Sequence, residues 1–187
     1  ENSLINRELI RLLAFLQVEQ LDGRMLEFLA NESVEANDKV HLALHLHAAG
    51  ARLEPALRLA MIATLEEAIR NSRSAGNKLY VQKAVKILAQ TITEDQLAQV
   101  FENGHQWPHA AIAGFYKLPE SLDPESVKMI VELDRNLKAI ETSSYATDQV
   151  RLGVIAVLGR SGDPDSMEYL RVLWQEEPAR RNDVVIG

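Results

Sequence analysis

Cysteine is absent from this chain of 187 residues. Its absence removes a disulfide framework, a thiol nucleophile, a zinc knuckle and covalent haem attachment from these residues, and it leaves the redox compartment undetermined. No apolar run approaches the roughly 20 residues that cross a bilayer, so no membrane insertion is expected. No secretory signal pattern opens the chain. Aromatic residues make up 5% of the chain, and the net charge is −7 with a pI near 5.3. An acidic balance of that size opposes attraction to phosphate backbones, so no nucleic-acid partner is expected. G-x-S-x-G, the Walker A pattern and the dinucleotide-binding glycine pattern are all missing, and no cofactor is called for.

Helical patterning fills the space these absences leave. With 47% hydrophobic and 25% charged residues, the chain can bury a sizeable core and reads as a single all-helical domain, residues 1–187. The clearest signal is Val150 to Leu173, VRLGVIAVLGRSGDPDSMEYLRVL. Val150, Val154, Val157 and Leu158 lay one apolar stripe along a first helix. Gly159 and Gly162 supply residues able to take the left-handed conformation that ends a helix. Asp163 then stands as N-cap with Pro164 at the first helical position, where a missing N–H costs nothing. Met167, Leu170, Leu173 and Trp174 form the apolar face of the second helix. Such a pair cannot bury both its faces alone and needs neighbours to stack on.

Val150-Arg151, Ala156, Leu158-Gly159 and Gly162-Asp163-Pro164, followed by Leu170 and Leu173, resemble a HEAT repeat of the short, phycobilisome-lyase-like type. Lys39-Val40-His41-Leu42 and Leu9-Ile10-Arg11-Leu12 resemble degenerate copies of the same first helix. The resemblance covers about one repeat well. It implies a right-handed ARM/HEAT-type α-solenoid used for protein binding, and it carries no catalytic residues. The segment from Asn6 to Gln17 also resembles helices of large planctomycete-type proteins that join HEAT repeats to cytochrome c-like modules. That likeness implies a docking arm or an architectural spacer beside a haem or catalytic domain, outside the cytoplasm.

Five helix pairs and a partial sixth are expected. They are Ser3–Gln17 with Asp22–Asn31, Val34–Ala49 with Pro55–Asn71, Lys78–Thr91 with Glu94–Asn103, Pro108–Leu118 with Pro124–Glu141, and Tyr145–Arg160 with Pro164–Glu177. Thr93 and Gln96 form a capping box, and Asp123-Pro124 repeats the N-cap and N1 signal. Arg11, His41, Gln82 and Arg151 occupy equivalent places at uneven intervals, which argues for HEAT-like stacking over a strict-period array. Pro55 to Ile69 is apolar almost all round and reads as a covered core helix. The chain opens on Glu1 and breaks off at Val184-Val185-Ile186-Gly187, where a further first helix should begin. The expectation is a piece of a larger polypeptide.

The titratable residues do not converge on a reaction. His41 and His45 are spaced i and i+4 with His47 nearby, but the Glu of a zincin motif is missing and no third ligand is specified. His105 and His109 straddle Trp107-Pro108, where a helix start is expected. Glu66-Glu67 and Glu176-Glu177 diverge around their helices, so neither pair can flank one substrate. These carboxylates, with Asp134-Arg135, read as solvated faces. Arg151 and Asp163 are read as structural ties, pairing within or between repeats.

Two features bear on partners. The run from Arg70 to Thr93 contains Arg70, Arg73, Lys78, Lys83 and Lys86 and no acid. A patch of Arg73, Lys78, Lys83 and Lys86 could receive an acidic segment, beside a polar loop at Asn71–Asn77. The second helices of HEAT-like pairs line the concave surface, which nominates Glu67 and Arg70, then Glu132, Arg135 and Asn136, then Glu168, Arg171 and Gln175. The reading that follows is a non-catalytic scaffold that binds a protein partner or another domain of its own polypeptide. An enzyme of lyase or small-ligand-binding type is the alternative, together with the purely architectural spacer.

Overall fold

Local chemistry sets several of the helix boundaries in this chain. The computed structural model describes residues 3–16, 22–47, 52–140 and 144–186. In chain order the helices are α1 (Ser3–Leu16), α2 (Asp22–Ala30), α3 (Ala36–Leu46), α4 (Pro55–Asn71), α5 (Ala75–Ala89) and α6 (Glu94–Glu102). They continue as α7 (Pro108–Gly114), α8 (Pro124–Lys138), α9 (Tyr145–Ser161), α10 (Pro164–Glu176) and α11 (Arg181–Ile186). Short 3-10 turns follow α7 at Phe115–Lys117 and precede α11 at Pro178–Arg180. Among the described residues no strand forms. The expected ends of α1 at Gln17, of α3 at Ala49 and of α8 at Glu141 lie outside the described residues.

Helix starts follow the caps that the spacing announces. Asp123 accepts the Ser126 N–H at 2.8 Å, and Asp163 accepts the Asp165 and Ser166 N–H groups at 3.0 Å, each ahead of a proline at the helix start. These bonds satisfy donors that no helical carbonyl reaches. The Thr93–Gln96 box closes in both directions, at 3.1 and 3.4 Å, and Gln96 Nε2 also donates to the Pro55 carbonyl at 2.6 Å. That last bond ties the start of α6 to the start of α4.

Several boundaries differ from expectation. Ser74 caps α5 by accepting the Asn77 N–H at 3.4 Å, so the helix begins three residues before Lys78 and the polar loop contracts to Ser72–Ser74. Gly159 stays helical inside α9, and only Gly162, at φ +61°, takes the left-handed conformation among the described residues. The helix runs on because Leu158 still accepts at its C-terminal end, from the Ser161 hydroxyl at 2.8 Å and the Gly162 N–H at 3.4 Å. A further box at Ser144 and Thr147 opens α9.

The chain divides into two compact units, Glu1–Gln96 and Leu97–Gly187. In the first, α1 packs on α3, α2 on α4, and α4 also on α3 and α5. Leu57, Met61, Ile62 and Leu65 of α4 are almost wholly buried, which explains why its apolar residues run round the helix. Glu66 corrects the expectation of a solvated face, because it is fully buried on that helix. In the second unit α7 packs on α9, α8 on α10, and α9 also on α8, α10 and α11. Val150, Val154, Val157 and Leu158 form its spine and are all buried, as are Leu170 and Leu173 of α10. Met167 and Trp174 stay substantially exposed.

Gly153 lets α9 approach Phe115, whose ring stacks on Phe101 with centroids 5.2 Å apart. A Cβ at residue 153 would lie 2.5 Å from Phe115 Cε2. Overpacking a filled core costs about 1–3 kcal/mol, against a helix-propensity gain of about 1 kcal/mol for leaving glycine. Gly153→Ala should therefore lower the urea midpoint, and Gly153→Val should lower it further. A Gly153→Ala midpoint above that of the parent would show that the Phe115 ring yields freely.

Candidate functional site

The polar centre of the second unit is Asp134, on the inward face of α8 and fully buried. Its neighbours Ile130, Leu133 and Leu137 are buried with it, so its charge needs partners from within the protein. Arg151 of α9 supplies a two-pronged one, with Nε donating to Oδ1 at 2.8 Å and Nη2 to Oδ2 at 3.0 Å. Tyr169 of α10 donates its hydroxyl to Oδ2 at 2.7 Å. Three successive helices thus meet on one carboxylate.

Arg151 extends the network, donating through Nη2 to Glu177 Oε1 at 2.9 Å. Lys138 at the end of α8 bridges Glu177 at 3.1 Å and Glu176 at 3.0 Å. Arg180 approaches Glu177 at 3.6 Å and Asp148 at 3.0 Å. Burial opposes the charge on Arg151, but Asp134 and Glu177 outweigh it and hold the guanidinium more firmly protonated than usual. Burial, reinforced by Asp134, pushes the Tyr169 phenol above its ordinary range. Burial would raise the Glu177 carboxyl, but hydrogen bonds from Arg151 and Lys138 overcome this and hold it below the usual range. Groups so firmly held in one protonation state suit anchoring better than proton transfer at neutral pH.

A groove of about 420 Å³ runs above this anchor between α8 and α10. Val127 and Val131 of α8 and Val172 and Leu173 of α10 give it an apolar lining. Lys128 and Arg135 stand on the α8 side, Asp165 and Glu168 on the α10 side. The Arg135 guanidinium carbon lies 5.7 Å from the centre of the Tyr169 ring, a cation–π distance. Since Tyr169 is bonded to Asp134, the groove floor and the buried network share a residue.

The nominated residues fall as follows. Arg135 and Glu168 line the groove, and Arg171 pairs with Glu168 at 2.7 Å on the exposed face of α10. Glu132, Asn136 and Gln175 are exposed on the same two helices without lining it. Glu67 and Arg70 are exposed on α4 of the first unit. Arg73, Lys83 and Lys86 are exposed on or just before α5, with Lys78 half-buried. Of the two residues read as structural ties within or between repeats, Arg151 bonds Asp134 and Glu177 across helices, and Asp163 holds the start of α10, accepting from Ser161 and Ser166 as well as the helix N–H groups. Asp134 was read as a solvated charge and is the hub. Its placement at i, i+3, i+4 spacing with Val127, Ile130, Val131 and Leu137 was the available signal.

His41 and His45 stand one turn apart on α3. The rings of His41 and His45 pack edge to face at 4.3 Å, and His41 Nε2 donates to the Arg7 carbonyl at 3.2 Å. Burial first, then the neighbouring His41 and Arg11 charges, lower the His45 pKa. His105 lies in the turn before α7 and His109 inside it. Among the described residues no three histidine or acidic side chains cluster as metal ligands would.

Comparison with protein-family models, curated proteins and solved structures gives no match.

Removing one partner of a buried ion pair costs about 3–5 kcal/mol, whereas replacing both with apolar groups is often neutral. Arg151→Ala should therefore sharply lower the urea unfolding free energy. The double substitution Asp134→Leu with Arg151→Met should recover most of the loss. Equal losses in both would contradict an anchor made of paired charge. Glu177 adds a pH dependence. Its folded-state pKa is depressed, so its contribution is present above the ordinary carboxyl value of about 4.5 and is lost as pH falls through the folded value. Glu177→Gln should flatten the fall of stability on acidification in that window, measured by urea midpoints across a pH series.

Proposed function

We propose that this chain is a non-catalytic protein-interaction scaffold, built as a HEAT-like right-handed α-solenoid, and that the groove between α8 and α10 receives a partner segment. The observation that carries this reading is the make-up of the groove. It has an apolar lining from Val127, Val131, Val172 and Leu173, with cations on the α8 side and carboxylates on the α10 side. A protein segment with one or two apolar side chains, an acid facing Lys128 and Arg135 and a base facing Asp165 would suit both the lining and the walls.

Two further points support it. The groove's side chains stand on helices fixed from beneath by Asp134, so little ordering is required when a partner arrives. In both units helices pack against those two places along the chain, α1 on α3, α2 on α4, α7 on α9 and α8 on α10. That alternation is how stacked helix pairs build the extended surfaces that repeat proteins use for binding. The α8 and α10 helices are the second members of their pairs, the members that the HEAT resemblance assigns to the concave face.

The test is a peptide-display selection against the whole chain, followed by titration of the selected peptides into the parent and into Val172→Asp and Arg135→Glu variants. Both positions are exposed, so the variants should fold, which far-ultraviolet circular dichroism checks. Selected peptides are expected to bind the parent saturably and to lose roughly tenfold or more in affinity for each variant, a change of about 1.4 kcal/mol per tenfold. Peptides that bind the variants as tightly as the parent would show that the groove is not the docking site.

A further inference from the structure

The α5 helix carries a second kind of surface, independent of the groove. Its inward face, Val81, Ala84, Val85, Leu88 and Ala89, is buried, and the helix packs on α4. Its outward face, with residues at i, i+1, i+4 and i+7 from Leu79, is unusual for a solvated helix. Leu79 is 68% exposed and Tyr80 60%, and Lys83 and Lys86 follow them, also exposed. Arg73 is exposed just before the helix. No acid occurs anywhere from Arg70 to Thr93 in a protein of net charge −7.

From this arrangement we propose that the outward face of α5 binds an acidic protein segment in which carboxylates alternate with apolar side chains. The carboxylates would meet Arg73 and Lys83, and the apolar side chains would cover Leu79 and Tyr80. Charge complementarity identifies the occupant. A short acidic segment touches only the basic stripe, whereas a long polyanion such as a nucleic acid would also meet the repulsion of the acidic remainder. The exposed leucine and tyrosine give such a segment something to bury, which a purely electrostatic contact would not use. The surface lies in the first unit, so it goes beyond the reading of the α8–α10 groove and does not depend on it.

The test uses a fluorescein-labelled peptide of repeated Asp-Glu-Leu-Phe units, and a counterpart with Asn and Gln in place of the acids. Both are titrated with the whole chain by fluorescence anisotropy. The acidic peptide should bind saturably, more weakly as salt is raised, and roughly tenfold more tightly than its neutral counterpart. The double variants Arg73→Glu with Lys83→Glu, and Leu79→Ser with Tyr80→Ser, should each lose roughly tenfold in affinity. Val172→Asp should bind as the parent does, which separates this surface from the groove. All four positions of the double variants are exposed, and circular dichroism verifies their folds. Absence of saturable binding, or equal binding to parent and both double variants, would overturn the proposal. So would tighter binding of a single-stranded oligonucleotide or of phosphatidylserine vesicles than of the acidic peptide.

Discussion

Among the described residues the helices are short, and most would be marginal alone in water. The longest described, α4 and α9, have 17 residues, only a little above the roughly 12–15 residues below which isolated helices are marginal even with favourable composition, and α2 and α6 have 9. Each must draw its stability from an apolar face buried against a neighbour. In both units that neighbour is repeatedly the helix two places along, and the most densely surrounded helices, α4 and α9, are those with partners on several sides. Those two are also the helices whose apolar residues spread furthest round the axis. Burial on more than one side removes the need for a polar face.

Asp134 and Arg151 are the exception that gives the second unit its specificity. Burying a carboxylate and a guanidinium together is seldom more stabilising than packing apolar groups in their place. The pair does something that apolar packing does less well, because a forked hydrogen bond is satisfied at one rotation and one register of α8 against α9. Tyr169 adds the same constraint on α10. The groove above inherits that geometry through Tyr169 and Arg135, so its walls are held apart at a spacing set by the buried charge.

Much of the helical layout was legible in the residues, because it rests on local chemistry. Asp123-Pro124, Thr93-x-x-Gln96 and Asp163-Pro164 each place a helix start through donors and acceptors within four positions, and each does so in the structure. Gly162 ends α9 for the same kind of reason. Legibility failed where the deciding partner is distant in sequence. Asp134 looked like half of an ordinary charged pair with Arg135, and only its bonds to Arg151 and Tyr169, from helices further along, reveal it as a hub. Glu66 was misread for a related reason, since its charge argued for solvent although it stands among the apolar residues of α4 and is fully buried. At the site, the resemblance singled out α8 and α10, but a stripe of polar residues could not tell which of them would line the groove. Arg135 and Glu168 do so, whereas Glu132 and Asn136 sit round the helix from it.

The most direct measurement is a map of backbone amide shifts in the isotope-labelled chain as a display-selected peptide is added. A scaffold that binds through its second unit predicts shifts concentrated at Lys128, Val131 and Arg135 of α8 and at Asp165, Glu168 and Val172 of α10, with the buried amides around Asp134 little moved. Shifts scattered over both units, or confined to surfaces away from these two helices, would contradict it.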